Sequence, residues 1–191
     1  MAPQDMRETI LLATLDHVAL DGWTRRSLDA GACDAGFKAI DGQRAFPAGM
    51  LALVEYLFEY GDRQMAQTMG RLDISEMKVR ARVATAVRTR LSVMAAHREA
   101  MRRALSFMAL PQNAGAALAC TYRTVDTIWY AVGDTATDFS FYTKRALLAG
   151  VFAATVLYWL GDESAGSQET WNFLDRRISG IMRLMSSVNR R

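Results

Sequence analysis

Apolar side chains recur every three or four positions along most of this chain, the period of a helix with one buried face. Ile10, Leu11, Thr14, Leu15 and Val18 predict a first helix over about Met6 to Ala19, stopped by Asp21-Gly22. Thr24 suits the N-cap of a second helix. Gly31, Gly36 and Gly42 then punctuate a poorly periodic stretch fit for short helical pieces. Pro47 suits the first turn of a segment running to Met69, with Met50, Leu53, Val54, Leu57 and Phe58 inward. From near Ile74, the stripe Met77, Ala81, Ala84, Val87, Leu91 and Met94 predicts an amphipathic helix. Lys78, Arg80, Arg82, Arg88 and Arg90 lie mainly on its other sides. His97-Arg98 marks a bend before Met101, Leu105 and Met108. Pro111 opens a helix reaching about Val132, with Leu118, Tyr122, Val125, Ile128 and Trp129 on its apolar side and Gly133-Asp134 closing it.

Thr137 or Asp138 caps the next helix, whose centre, Ala146 to Leu160, carries no charge. At fifteen residues that run falls short of the roughly 20 that span a bilayer, so it predicts a buried central helix. Gly161 ends it, and Asp162-Glu163 reads as an exposed helix-end turn. Trp171, Leu174, Ile178, Ile181, Met185 and Val188 give the most regular amphipathic face in the chain. No run alternates as a strand would, and no segment repeats. The pattern predicts an all-α protein of about nine helices. A helix-turn-helix-like headpiece of three helices over residues 1–46 would sit on a larger helical ligand-binding body over 47–191, read as one compact unit.

Composition narrows the function. Hydrophobic residues make up 51% and charged residues 23% of 191, which excludes disorder as the main state. Cys33 and Cys120 cannot build a disulfide framework, which suits a reducing compartment. The first eight residues are polar and lack the marks of a targeting peptide, so the expected location is the cytoplasm, peripheral to the inner membrane in a bacterium. His17 and His97 stand far apart without a motif around either. The cysteines form no C-x-x-C pair, and no Glu precedes a His by three residues. Phosphate-loop, dinucleotide and G-x-S-x-G signatures are missing. The reading is a binding protein rather than an enzyme, with no catalytic residue, cofactor or metal.

Eleven Met and a run of aromatics suggest what it binds. Met fills irregular apolar space. Tyr122, Trp129, Leu148, Phe152, Val156, Trp159, Trp171, Leu174 and Ile178 either pack as ordinary core or line an apolar tunnel for a lipid tail. Gly22-Trp23-Thr24, Ser27-Leu28, Gly36-Phe37 and Ala45-Phe46 resemble the helix-turn-helix of TetR-type regulators. Yet residues 1–50 hold five cations (Arg7, Arg25, Arg26, Lys38, Arg44) against seven carboxylates. That is the wrong sign for a surface that must neutralise phosphates.

The most specific stretch is later. Trp129, Tyr130, Asp134, Asp138, Phe141, Tyr142, Lys144 and Arg145 cluster about one corner, preceded by Met108 and Leu110. Two readings stand: a capped connection in which the aspartates hold backbone amides, or an interface, since aromatics with Arg are the usual anchors. Gly133, Asp134, Thr135, Thr137, Asp138, Phe139, Tyr142, Thr143, Lys144 and Arg145, with Leu110-Pro111-Gln112, Phe46-Pro47, Val54-Glu55-Tyr56 and Thr170-Trp171 before Phe173-Leu174-Asp175, resemble the Coq-nine family of lipid-binding accessory proteins of ubiquinone biosynthesis. The resemblance implies a TetR-like fold that has lost DNA binding. It also implies an apolar pocket for isoprenoid quinone or phospholipid, and presentation of quinone intermediates to the demethoxyubiquinone hydroxylase. The expected partners are those lipids, that hydroxylase, a membrane surface met peripherally and a second copy in a homodimer, with no specific DNA. The alternative is a TetR-type transcription regulator that binds DNA and a small apolar ligand.

Overall fold

The computed structural model describes residues 3–133 and 139–188, and the side chains of 4–133 and 142–181. Among the described residues the chain forms nine α-helices and no strand, as the periodicity predicts: α1 (Pro3–Asp21), α2 (Arg25–Asp34), α3 (Ala39–Ala45), α4 (Met50–Met69), α5 (Val79–Val93), α6 (Arg98–Met108), α7 (Ala114–Ala131), α8 (Phe139–Gly161) and α9 (Gln168–Val188). Short 3-10 turns at Ala95–His97, Pro111–Asn113 and Ala165–Ser167 join them. The chain divides into two compact units, 1–61 with 94–120, and 62–93 with 121–191. Residues 1–46 belong wholly to the first; the stretch 47–191 is shared between the two.

In the first unit α1 packs on α2, α3 and α6. Ile10, Leu11, Leu15, Val18 and Leu28 are fully or almost fully buried there. Thr24 caps α2, its hydroxyl accepting from the Ser27 N–H at 3.3 Å. Gly31, which the sequence presents as punctuation, lies inside α2 at its crossing with α1. A methyl there would stand 2.3 Å from Thr14 Oγ1 and 2.6 Å from the Thr14 backbone. Gly42 on α3 serves the same purpose, since its Cβ would meet that of Ala32 at 2.9 Å. The headpiece therefore holds together through backbone approach as much as through large side chains. The Trp23 indole donates to the Ala100 carbonyl at 3.3 Å and ties α6 to it.

In the second unit α9 packs on α5 and α8. Val83, Val87, Leu91, Val125, Ile128, Val156, Trp159 and Leu174 form its core. A buried polar cluster sits among them. Arg90, 1% exposed, donates from Nε to Asp62 Oδ1 at 2.7 Å, and the Thr124 hydroxyl donates to the same carboxylate at 2.9 Å. A buried carboxylate needs such partners, because an unpaired one is costly to desolvate.

The elements depart from the sequence pattern in four places. α4 starts at Met50 rather than Pro47, because Phe46 to Gly49 close a turn, with the Gly49 N–H on the Phe46 carbonyl at 2.9 Å. α5 starts at Val79 rather than Ile74. Asp73 Oδ1 accepts from the Ser75 N–H and hydroxyl, and Arg82 donates to the Ser75 and Met77 carbonyls, which holds 73–77 in a turn. α8 is buried along one face, with Val151 and Val156 inside, whereas Leu157 is 67% exposed, so it is not enclosed on all sides. Asp162 is buried, not exposed. Its carboxylate accepts from the Ser164 N–H at 2.8 Å and from the N–H and hydroxyl of Thr170 at 2.9 and 2.5 Å. Burial works to raise its pKa, but these hydrogen bonds win and hold the carboxyl well below the usual range.

Candidate functional site

The C-terminal end of α7 and the start of α8 build one corner of the second unit. Gly133, at φ +83°, lets α7 end by turning sharply, with its N–H on the Tyr130 carbonyl at 3.0 Å. Two contacts then join the helices. Arg145 is buried and donates from Nε and Nη2 to Asp126 Oδ1 at 2.8 and 2.7 Å. Lys144 places Nζ 5.7 Å from the centroid of the Trp129 ring, within cation–π reach. Tyr130 and Tyr142 are 84% and 68% exposed.

Trp129 faces inward from this corner. It is 6% exposed, and among the described residues its indole N–H has no hydrogen-bond partner. With Val79, Val83, Leu148, Val151, Ile178 and Ile181 it walls a small apolar cavity, which Arg80 and Lys144 also line. The cavity holds about 30 Å³, room for one or two waters and not for an isoprenoid chain. On the outer side, Ala146, Leu147, Gly150, Val151 and Ala154 of α8 and Arg176, Arg177, Gly180 and Ile181 of α9 form an open groove of about 530 Å³. That is within the range of small-molecule sites.

The residues expected to bind lipid are thus divided. Trp129, Leu148 and Ile178 line the cavity. Phe152, Val156, Trp159 and Leu174 are buried, but none of them lines it. Tyr122 is half exposed on α7, and Trp171 donates its indole N–H to the Gly166 carbonyl at 2.7 Å. Of the expected docking residues, the structure joins Trp129, Lys144 and Arg145, with Tyr130 and Tyr142 beside them in the chain. Arg145 is committed to the α7–α8 tie. Met108 is buried at the end of α6 and Leu110 is 42% exposed, both in the first unit. Asp134 and Asp138, and the side chain of Phe141, lie outside the described residues. The sequence reading missed Val79, Val83, Val151 and Ile181. Ile181 stood in the α9 stripe, but Val79 and Val83 fall outside the α5 stripe, whose Ala84, Val87, Leu91 and Met94 are buried as expected. Among the described residues no group of His, Cys, Asp or Glu is placed to hold a metal, and no helix is long and apolar enough to cross a membrane.

Residues 114–185 match the COQ9 family model. The chain is 33% identical over 188 residues to the mitochondrial ubiquinone biosynthesis protein COQ9 of Drosophila melanogaster, covering 96% of this chain and 57% of the relative. It is 32% identical to the protein of that name from Rattus norvegicus, covering 95% and 60%, and 29% identical to that of Homo sapiens, covering 95% and 59%. The chain thus spans about three-fifths of the length of these relatives. A TetR transcriptional regulator from Nitrosomonas europaea shares the fold, with a TM-score of 0.75 at 18% identity over 92% of this chain and 97% of that one. The relatives are named as mitochondrial, which overturns the expected cytoplasmic or bacterial inner-membrane location. That expectation rested on the polar first residues, which say nothing about a leader in a chain that spans only part of its relatives. Identity of about one-third along almost the whole chain and the family match over residues 114–185 make this chain similar to the COQ9 proteins of ubiquinone biosynthesis, and the structural neighbour shows that its fold is TetR-like.

Proposed function

We propose that this chain is a non-catalytic accessory protein of ubiquinone biosynthesis that binds an isoprenoid quinone intermediate or phospholipid at the α7–α8–α9 cavity and presents it to the demethoxyubiquinone hydroxylase. Its homology to proteins named for ubiquinone biosynthesis supports a role in that process. The observation that carries the lipid-binding step is Trp129. A buried indole N–H without an acceptor costs about 1–3 kcal/mol relative to a bonded one. A carbonyl on an otherwise apolar ligand is the acceptor that such a wall can use. The small cavity is then the closed state, and loading requires α8 and α9 to part.

Presentation rests on the same corner. Tyr130 and Tyr142 offer exposed aromatic area beside Trp129, the composition of an interface anchor. Tyr142→Ala should weaken hydroxylase binding roughly thirty-fold, about 2 kcal/mol, while melting temperature and the lipid content measured by mass spectrometry stay within error. A large loss of stability would show that Tyr142 serves packing. Lipid-free wild-type protein that neither takes up isoprenoid nor associates with the hydroxylase would overturn the proposal as a whole.

A further inference from the structure

The Tyr130 side chain is 84% exposed, so packing does little to fix where its ring stands. Its place is set by the backbone of the last turn of α7. Helix ends are where that backbone runs out of internal hydrogen bonds and frays. Two arginines bracket this turn. Arg145 of α8 pairs with Asp126, one turn before Tyr130. From α5, Arg82 donates from Nη1 to the Val132 carbonyl at 3.3 Å, two residues after Tyr130. The guanidinium lies against the chain reversal, since a methyl built on Gly133 would stand 3.9 Å from Arg82 Nη1.

Arg82 also reaches the connection between α4 and α5. Its Nε donates to the Met77 carbonyl and its Nη2 to the Ser75 carbonyl, both at 2.8 Å. That turn has support of its own, because Asp73 Oδ1 accepts from the Ser75 N–H at 3.1 Å and from its hydroxyl at 2.7 Å. One guanidinium therefore joins three carbonyls on two segments, a fixed turn and a helix end. Its position works against its own helix. Arg82 lies at the N-terminal end of α5, which is the positive end of the helix dipole, and the first turn there carries no acidic residue to offset it. The carbonyl end of α7 is where a cation is favoured. Only arginine has a planar fork of donors that meets all three acceptors in one geometry; a lysine ammonium is a point charge on a flexible stem.

From this arrangement we infer that Arg82 is a positioning residue for partner docking: by pinning the Val132 carbonyl to the 73–77 turn, it holds the last turn of α7 where Tyr130 meets the hydroxylase. The inference rests on the proposed docking at this corner and adds a residue that acts on the partner through Tyr130. It also makes the α4–α5 connection a working part of the corner.

The test is a double-mutant cycle on the full chain. Hydroxylase affinity is read by calorimetry well below the melting temperature, with amide hydrogen exchange of residues 129–133 measured alongside. Tyr130→Ala should weaken binding about ten-fold or more. Arg82→Met keeps an unbranched apolar stem and removes the donors. It should weaken binding about five-fold or more with Tyr130 intact, and exchange at 129–133 should quicken. The double variant should lose clearly less than the product of the two single losses, because a displaced Tyr130 has less contact left to remove. Arg82→Lys should behave as Arg82→Met does, and it carries the same comparison if the methionine variant does not fold. Wild-type affinity in Arg82→Lys would show that charge alone suffices and would overturn the brace. A lower melting temperature with the affinity of the folded chain unchanged would make Arg82 merely structural, and losses that multiply in the double variant would make the two residues independent; either result overturns the inference. Losses in Tyr130→Ala with none in Arg82→Met strike the brace and leave the docking corner standing. If Tyr130→Ala and Tyr142→Ala both bind as wild type does, the docking corner itself fails and the role of Arg82 falls with it.

Discussion

Asp162 shows what one residue contributes. It follows the last residue of α8 and accepts three hydrogen bonds from Ser164 and Thr170, closing the connection to α9. Its pKa is depressed in the folded chain, so the folded state favours the ionised form. The sign follows from linkage: the stabilisation is complete above the unfolded carboxyl value near 3.9 and is lost as pH falls below it toward the folded value. Asp162→Asn should therefore be less stable at neutral pH, by about 1–3 kcal/mol, and should lose less further stability on acidification. Urea midpoints at about pH 7 and about pH 3.5 check this, and parallel losses in the two proteins would contradict it. The local part of this motif was readable, since an Asp two residues before a Ser is a turn signal. Its burial was not, because the second and third partner atoms come from Thr170, eight residues away, and only the path of the chain brings them back.

At the scale of elements, the stripe on α1 places its helix well because that face is buried, and Leu174 and Ile178 are buried on α9. On α7 only the second half of the stripe holds, since Val125, Ile128 and Trp129 are buried whereas Leu118 is 73% exposed and Tyr122 half exposed. The errors fall where tertiary contacts override a local signal. Pro47 was a sound helix-start signal that the Phe46–Gly49 turn pre-empted, and the uncharged run in α8 proved to be half open to solvent. Gly31 is the sharpest case. From sequence alone a glycine in a weakly amphipathic stretch argues for a break, yet here it permits two helices to touch backbone to backbone. Gly31→Ala should lower stability by about 1–3 kcal/mol, as overpacked sites do, although alanine is the better helix former by up to about 1 kcal/mol. Thermal melts of the variant settle the sign, and a neutral or raised midpoint would mean that α1 and α2 can slide apart at no cost. The candidate site follows the same rule. Trp129 and Lys144 stood out as residue types in a dense motif, whereas Val79 and Val83 are ordinary valines until α5 is laid beside α8 and α9.

Across the whole molecule, the fold is shared with a transcriptional regulator, but a fold carries no activity by itself. What decides DNA binding is the charge the headpiece can offer to phosphates. Residues 1–50 carry two more carboxylates than cations, and the structure places its arginines within the headpiece's own interactions. Arg26 lies 3.6 Å from Asp21, Arg44 lies 3.7 Å from Asp41, and Arg25 pairs with Gln43 and stands 3.9 Å from Asp29. Arg7 rests on the rings of Phe46 and Tyr56, at 4.9 and 4.2 Å. Helix α3, the counterpart of a recognition helix, offers Gln43 and Arg44 next to Asp41, and Lys38 precedes it on the exposed side. A DNA phosphate approaching this face would have to compete with carboxylates already in place. Each phosphate contact adds about one to the steepness of salt dependence, so a headpiece with few available cations should bind weakly and with a shallow slope. The expected result is no enriched sequence in a selection from random duplexes. Residual affinity at physiological salt should be no tighter than the non-specific range of about 10⁻⁴–10⁻⁶ M. Fluorescence anisotropy over a salt series measures both quantities. Recovery of a single motif bound at nanomolar concentration, with affinity lost in Lys38→Glu, would show that this headpiece still reads DNA and that its acidic balance has been given too much weight.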